Sequence, residues 1–117
     1  MKVDKTLGTI RIPVFNEYRT KRISDITHCK ADNQYTLLFF NTNESRMVSN
    51  GLSEMEQLID NDNFFRCHKS SIVNINYVEE LCCVRKLITL CNGKQITVSR
   101  RKSNELKLYL KKREKII

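Results

Sequence analysis

The chain reads as a mainly β protein with two short helices, and three observations carry that reading. Runs rich in β-branched and aromatic residues recur along it, among them TIRIPV (9–14), YTLLFFN (35–41) and SIVN (71–74). Turn formers punctuate those runs, with Asp32-Asn33-Gln34 after one and Asn92-Gly93 between two others. Helical periodicity is confined to two stretches, and the whole sequence holds three Gly and one Pro, with no repeat, low-complexity segment or internal linker.

Residues 1–7 read as a polar leader or the remnant of a linker. Thr9 to Val14 alternates, with Ile10 and Ile12 on one side, and Pro13 places it at an edge or strand end. Asn16-Glu17 is a turn candidate, and Tyr18 to Ile23 follows as a second strand. From residue 23 to residue 50 the pattern is antiparallel β, Tyr35–Asn41 pairing with Arg46-Met47-Val48 across the Asn41–Ser45 turn. Leu52, Met55, Leu58 and Ile59 then share one helical face, with Ser53 as candidate N-cap and Asp60-Asn61-Asp62-Asn63 as the stop. Such a helix suits a plug over one end of a sheet. Phe64 to Asn74, FFRCHKSSIVN, is apolar at both ends and polar in the middle, the pattern of two buried strands joined by a polar connection. Short strands are expected at Tyr77–Val84, Leu87–Cys91 and Gln95–Val98, turning at Arg85-Lys86 and Asn92-Gly93. From Ser103 a short final helix runs into a basic tail.

Charge is distributed unevenly. Residues 1–64 carry 8 Lys/Arg against 9 Asp/Glu, net −1, whereas residues 65–117 carry 13 against 4, net +9, so the whole of the net +8 comes from the second half. A basic half beside a neutral one favours a polyanionic partner. Five cysteines without a CxxC pair fit neither a zinc site nor a disulfide framework and suit free thiols in a reducing cytoplasm. MKVDKTLG has no apolar signal core, and the longest apolar run, Leu37–Phe40, is far too short to cross a bilayer.

Catalytic patterns are missing. Cys67-His68 and His28-Cys29 are sequence neighbours, which a strand points to opposite faces, so neither is a nucleophile–base pair. No phosphate-binding glycine loop, HExxH or paired-acid arrangement occurs, and no cofactor or metal is expected. Basic residues at expected turns and strand ends are more informative: Arg66, Lys69, Arg85, Lys86, Lys94, Arg100, Arg101 and Lys102. With no carboxylate between Asp62 and Glu79, nothing local in sequence neutralises Arg66 or Lys69. Phosphate contacts would hold such a domain on a duplex while a few long side chains reach base edges, Arg being best matched to guanine O6 and N7.

FFRCHKSSIVN resembles the motif of LytTR domains, the DNA-binding output module of many bacterial response regulators: an aromatic pair, an Arg, a His-Lys/Arg-Ser triplet and an apolar-apolar-Asn ending. Asp25-Ile26 leading to Ala31–Thr36, then Ser49–Leu58, then Val98–Lys102 match in the family's order, so the resemblance covers roughly residues 8 to 112. It implies an elongated stack of short antiparallel sheets, one domain over residues 8–117, that inserts loops rather than a recognition helix into DNA grooves.

Carried onto this sequence, the resemblance implies base-reading residues in Asn33-Gln34-Tyr35, at Lys69 and at Arg101. Ser70, Ser99, Arg100 and Lys102 become phosphate contacts. His68 has two readings, a place at the DNA face or a half-buried ring bonding the backbone. The implied function is sequence-specific duplex binding by a cytoplasmic transcriptional regulator of the two-component type. An upstream receiver domain or sensor-kinase pathway and dimers on repeated sites would go with it, and the chain would be either an excised output domain or a stand-alone regulator. The alternative from another class is a basic β-rich interaction module docking an acidic protein.

Overall fold

The β-rich runs find their partners in three antiparallel sheets, seen here for residues 2–112 of a computed structural model. Strands β1 (Lys2–Asp4), β2 (Thr9–Val14) and β3 (Glu17–Arg22) form the first sheet in that order. Within the polar opening stretch, Lys2–Asp4 therefore add an edge strand, with Lys2 opposite Arg11. Ile10 and Ile12 are buried and Arg11 between them is exposed, as the alternation requires.

The central sheet has five strands: β4 (Ile26–Asp32), β5 (Tyr35–Phe40), β6 (Ser45–Val48), β7 (Phe64–His68) and β8 (Ser71–Asn74), in the spatial order β6-β5-β4-β8-β7. A third sheet, β11-β10-β9, is built from β9 (Val78–Cys82), β10 (Leu87–Leu90) and β11 (Gln95–Thr97). Helix α1 (Leu52–Ile59) links β6 to β7, and α2 (Arg100–Lys111) follows β11. The stack is elongated, 46 × 28 × 24 Å.

The two faces of the central sheet bury separate cores, because neighbouring strand residues point in opposite directions. Cys29, Leu38 and Ile72 face a cluster completed by Ile10 and Ile12 of the first sheet and by Leu52, Met55 and Ile59 of α1. Cys67 and Val73 face a second cluster with Ile88, Leu90, Val98 and the α2 residues Leu106 and Leu110. Helix α1 is structural, as expected, but it packs on one face of the sheet rather than over its end. Asn74, almost fully buried, links the layers by donating from Nδ2 to the Ile26 carbonyl at 2.8 Å while its Oδ1 accepts from the Asn76 amide at 3.0 Å.

Three local expectations are corrected. Helix α1 is capped by Gly51, not Ser53: the Met55 amide bonds the Gly51 carbonyl, so Ser53 already lies inside the first turn. Asp60, at φ 40, stops the helix as the Asp/Asn run suggested. Helix α2 begins at Arg100 rather than Ser103, because the Ser99 hydroxyl accepts the Lys102 amide at 3.1 Å as an N-cap. Its first turn is wholly polar, so apolar periodicity could not mark the start. The second strand stops at Arg22 because Ile23–Asp25 turns into a short 3-10 segment, as does Ile75–Tyr77 before β9. The expected basic tail falls mainly on residues 113–117, which lie outside the described residues.

His28 shows what this layering does to a titratable side chain. Its ring stacks on Phe39, centroids 4.3 Å apart and 2° from parallel, with Nδ1 3.0 Å from the Thr27 hydroxyl. Burial, and then the cations of Lys94 and Lys30, lower its pKa to about 4. Between that value and an ordinary 6.5 the unfolded chain binds a proton that the folded chain refuses, so stability falls as pH drops through this window. The full loss is on the order of 3 kcal/mol, a ceiling reached below the folded pKa. Urea unfolding at stepped pH should show this decline in the wild type and a smaller one in His28→Phe, which keeps a ring beside Phe39 but cannot titrate. Equal declines in the two proteins would exclude His28 as the cause.

Candidate nucleic-acid interface

Antiparallel register decides where the predicted site residues gather. Lys30 on β4 is paired with Ser71 on β8, and the Ala31 amide donates to the Ser70 carbonyl at 2.9 Å. The β4–β5 turn and the β7–β8 turn therefore emerge at the same end of the central sheet. The Ser99 amide donates to the Cys67 carbonyl at 2.9 Å and brings the N-terminus of α2 beside the second turn. Three segments far apart in sequence share one end of the molecule.

Asn33 and Gln34 form the exposed two-residue turn closed by the Asp32–Tyr35 pair, with Asn33 in the left-handed region at φ 57, where Asn is better tolerated than most residues. Tyr35 is exposed at the start of β5. Thr36, the other residue of that segment, is fully buried and donates to the Asn50 carbonyl at 2.8 Å, which removes it from any surface role. Lys69 is exposed in the β7–β8 turn. Ser70 beside it is half-buried, its amide donating to His68 Nδ1 at 3.1 Å and its hydroxyl lying 2.9 Å from the same atom. An Nδ1 that accepts an amide hydrogen carries no proton of its own, so the neutral His68 ring presents its N–H at Nε2.

His68, Lys69, Ser99, Arg101 and Lys102 line one groove of about 570 Å³, together with Arg66. Asn33, Gln34 and Tyr35 stand at the same end of the sheet but outside that groove, and Arg100 lies next to it in the first turn of α2. Among the described residues, Lys69, Arg100 and Arg101 take part in no ion pair, whereas Lys102 reaches Glu105 at 3.2 Å. The unpaired amides at the start of α2 add partial positive charge where Ser99, Arg100 and Arg101 already gather. Ser99 thus acts as a helix cap besides any contact its hydroxyl hydrogen makes. A Ser preceding a helical stretch was the sequence signal for that role, hidden by the polar first turn.

Arg66 departs from its expected place among free cations. Its Nη1 pairs with Glu56 Oε1 at 2.9 Å, its Nε donates to the His68 carbonyl at 2.9 Å, and its Nη2 donates to the Lys69 carbonyl. Its partner is not the nearest carboxylate in sequence, Asp62, but Glu56, which α1 packs over it. Arg66 is a strut under the turn that presents Lys69. Lys86 is likewise engaged, donating to the Cys83 carbonyl at 2.6 Å within its own turn.

Cys67 is fully buried, and burial pushes its thiol up to about 12, far from the thiolate needed for reactivity. It is part of the second core, with its Sγ directed to the Ser71 carbonyl at 3.7 Å. Among the described residues no group of three or more His, Cys, Asp or Glu is placed to hold a metal ion, and no helix is long and apolar enough to cross a membrane.

The antiparallel sheets thus hold two turns and a basic helix start at one end, where Lys69, Arg100 and Arg101 have no ion pair among the described residues. The chain belongs to the LytTr DNA-binding domain family, whose model matches residues 16–111. It is 30% and 31% identical to the heme-containing CO-sensing transcriptional regulators RcoM 1 and RcoM 2 of Paraburkholderia xenovorans, in each case over 86% of this chain. The chain spans 39% of the length of either relative. A LytTr DNA-binding domain from Bacillus cereus superposes with a TM-score of 0.76, covering 88% of this chain and 96% of that one at 22% identity, and so shares the fold. This family binds DNA and is not an enzyme family.

If Arg66 is a strut, removing it should cost stability before anything else. Arg66→Ala is expected to lower unfolding free energy by about 1–3 kcal/mol, since two carbonyls and Glu56 lose their partner together. Glu56→Ala, losing only a half-exposed carboxylate, should cost under about 1 kcal/mol. Urea titrations of both variants check this, and equal costs would contradict the assignment.

Proposed function

We propose that this domain reads duplex DNA sequence-specifically through its loops and the start of α2, as the output domain of a transcriptional regulator of the two-component response type. The observation that carries the reading is the groove joining Lys69 of the β7–β8 turn to Arg101 of α2, two cations without ion pairs among the described residues, with Arg66 bracing the first turn and Ser99 tying the second element to Cys67. Lys69 and Arg101 are the base readers, with Asn33, Gln34 and Tyr35 a third contact displaced along the site. Ser70, Ser99, Arg100 and Lys102 hold phosphates. A long flexible cation on a tight turn can enter the major groove where a sheet edge cannot. In this reading the domain works in the cytoplasm, a receiver domain or sensor-kinase pathway controls it, and two copies occupy repeated sites.

Base contacts and phosphate contacts leave different signatures. Lys69→Ala and Arg101→Ala should each lose about 1–3 kcal/mol on the preferred duplex and flatten the preference at different base pairs, with scrambled duplex of equal length bound nearly as before. Selection from random duplexes with each variant is the measurement. If both variants recover the wild-type site with undiminished preference, readout through these residues is untenable.

Lys102→Ala should instead weaken preferred and scrambled duplexes alike and reduce the slope of log affinity against log salt by about 1. The Lys102–Glu105 pair is exposed enough to release the ammonium at little cost. A changed sequence preference in Lys102→Ala would place that residue on a base.

A further inference from the structure

A second concavity, of about 550 Å³, lies between the central sheet and the third sheet. His28 and Lys30 of β4, Phe39 of β5, His68, Ser70 and Ser71 about the β7–β8 turn, and Lys94 with β11 line it, and none of these is a carboxylate. Lys94 Nζ sits 4.5 Å from the centroid of Phe39, the ring on which His28 stacks. Neither Lys30 nor Lys94 belongs to any ion pair among the described residues. After burial, both cations help to lower the His28 pKa, which puts each of them close to the ring that lines the cleft. A concavity of one sign with partly apolar walls concentrates that field on whatever enters. Its volume is that of a small-molecule site.

His68 and Ser70 of the lining belong to the β7–β8 turn, whereas Lys94 lies over Phe39, well along β5 from the β4–β5 turn. Lys94 also precedes β11 while Ser99 follows it, a separation of about 10 Å or more by strand rise alone. A duplex lying across the turns would not reach Lys94, but a small anion entering between the sheets would.

We propose that this cleft binds a small phosphorylated ligand, its anionic group held between Lys94 and Lys30 and its remainder against Ser70 and His68. The site shares His68 with the DNA-facing groove. Occupancy would therefore bear on the turn that carries Lys69, and ligand and duplex would influence each other's binding.

Pyrophosphate is the probe, titrated into the intact domain and followed by backbone amide resonances. Saturable shifts are expected at Lys30, Ser70, Ser71 and Lys94–Thr97. Lys94→Met and Lys30→Met should each weaken the binding by about fivefold or more, the effect of losing one charge-assisted contact, while Lys5→Met leaves it unchanged. Unchanged thermal unfolding of the variants confirms that they fold, and Lys94→Met should bind scrambled duplex as the wild type does. Absence of saturation by about 10 mM, weaker than any useful site, overturns the proposal. So do shifts confined to Lys69 and Arg100–Lys102 that Lys94→Met does not alter. Weakened duplex binding by Lys94→Met, with pyrophosphate binding intact, would assign the cleft to DNA phosphates instead and also overturn it. None of these results depends on Lys69 or Arg101 reading bases.

Discussion

Pairing between β4 and β8 joins what would otherwise be two independent β units. Residues 26–48 form a three-stranded meander, and Phe64–Asn74 forms a hairpin on its own. The ladder His28–Val73, Cys29–Ile72, Lys30–Ser71 welds them into one sheet of five strands. Its register is not free to slip. Cys29 and Ile72 face the first core while Val73 faces the second, and moving β8 by one residue would exchange those faces and expose apolar side chains to the wrong layer. Because that register is held from both sides, the β4–β5 and β7–β8 turns end level with each other, and this end of the sheet exists as one surface rather than as two loops.

The polar groups around that ladder show how a mostly apolar constraint becomes a positioned cation. Arg66 binds the carbonyls of His68 and Lys69, the Ser70 amide closes onto His68, and Ser99 ties the α2 start to Cys67. Each of these groups takes up a hydrogen-bonding demand of the turn, so Lys69 projects from a backbone that has little left to rearrange. Rigid support beneath a flexible, unpaired cation is the arrangement that base readout requires, since a side chain on a mobile turn would lose its contact energy to ordering. Arg66 works through Lys69, and its position in the family-like motif has a structural reason independent of any contact with DNA.

Much of this was legible in the residues themselves. Alternation in TIRIPV, the β-rich YTLLFFN, the apolar-polar-apolar profile of FFRCHKSSIVN and the Asn-Gly hairpin signal each depend on neighbours within a few positions, and each element formed where those local rules placed it. The i, i+3, i+6, i+7 face of Leu52–Ile59 marked the buried side of α1, though not its N-cap. The motif likewise brought Lys69, Ser99, Arg101 and Lys102 into view as a set, and the fold places these four in one groove.

What only the tertiary structure decided concerns partners distant in sequence. Glu56 lies ten residues before Arg66 on another element, so nothing in the stretch from Asp62 to Glu79 could show that this guanidinium is paired. Ser99 as a cap, Thr36 as a buried donor to Asn50, and His68 accepting the Ser70 amide are equally matters of packing. The cleft holding Lys30, Phe39 and Lys94 has no sequence signature at all, because it is made by the offset between two sheets. Local sequence determined which strands, turns and helices this chain forms, since propensity and periodicity act over a few residues. The long-range register of β4 against β8, and the docking of α1 and α2 on opposite faces, decided which of its cations are struts and which are free to meet an anion.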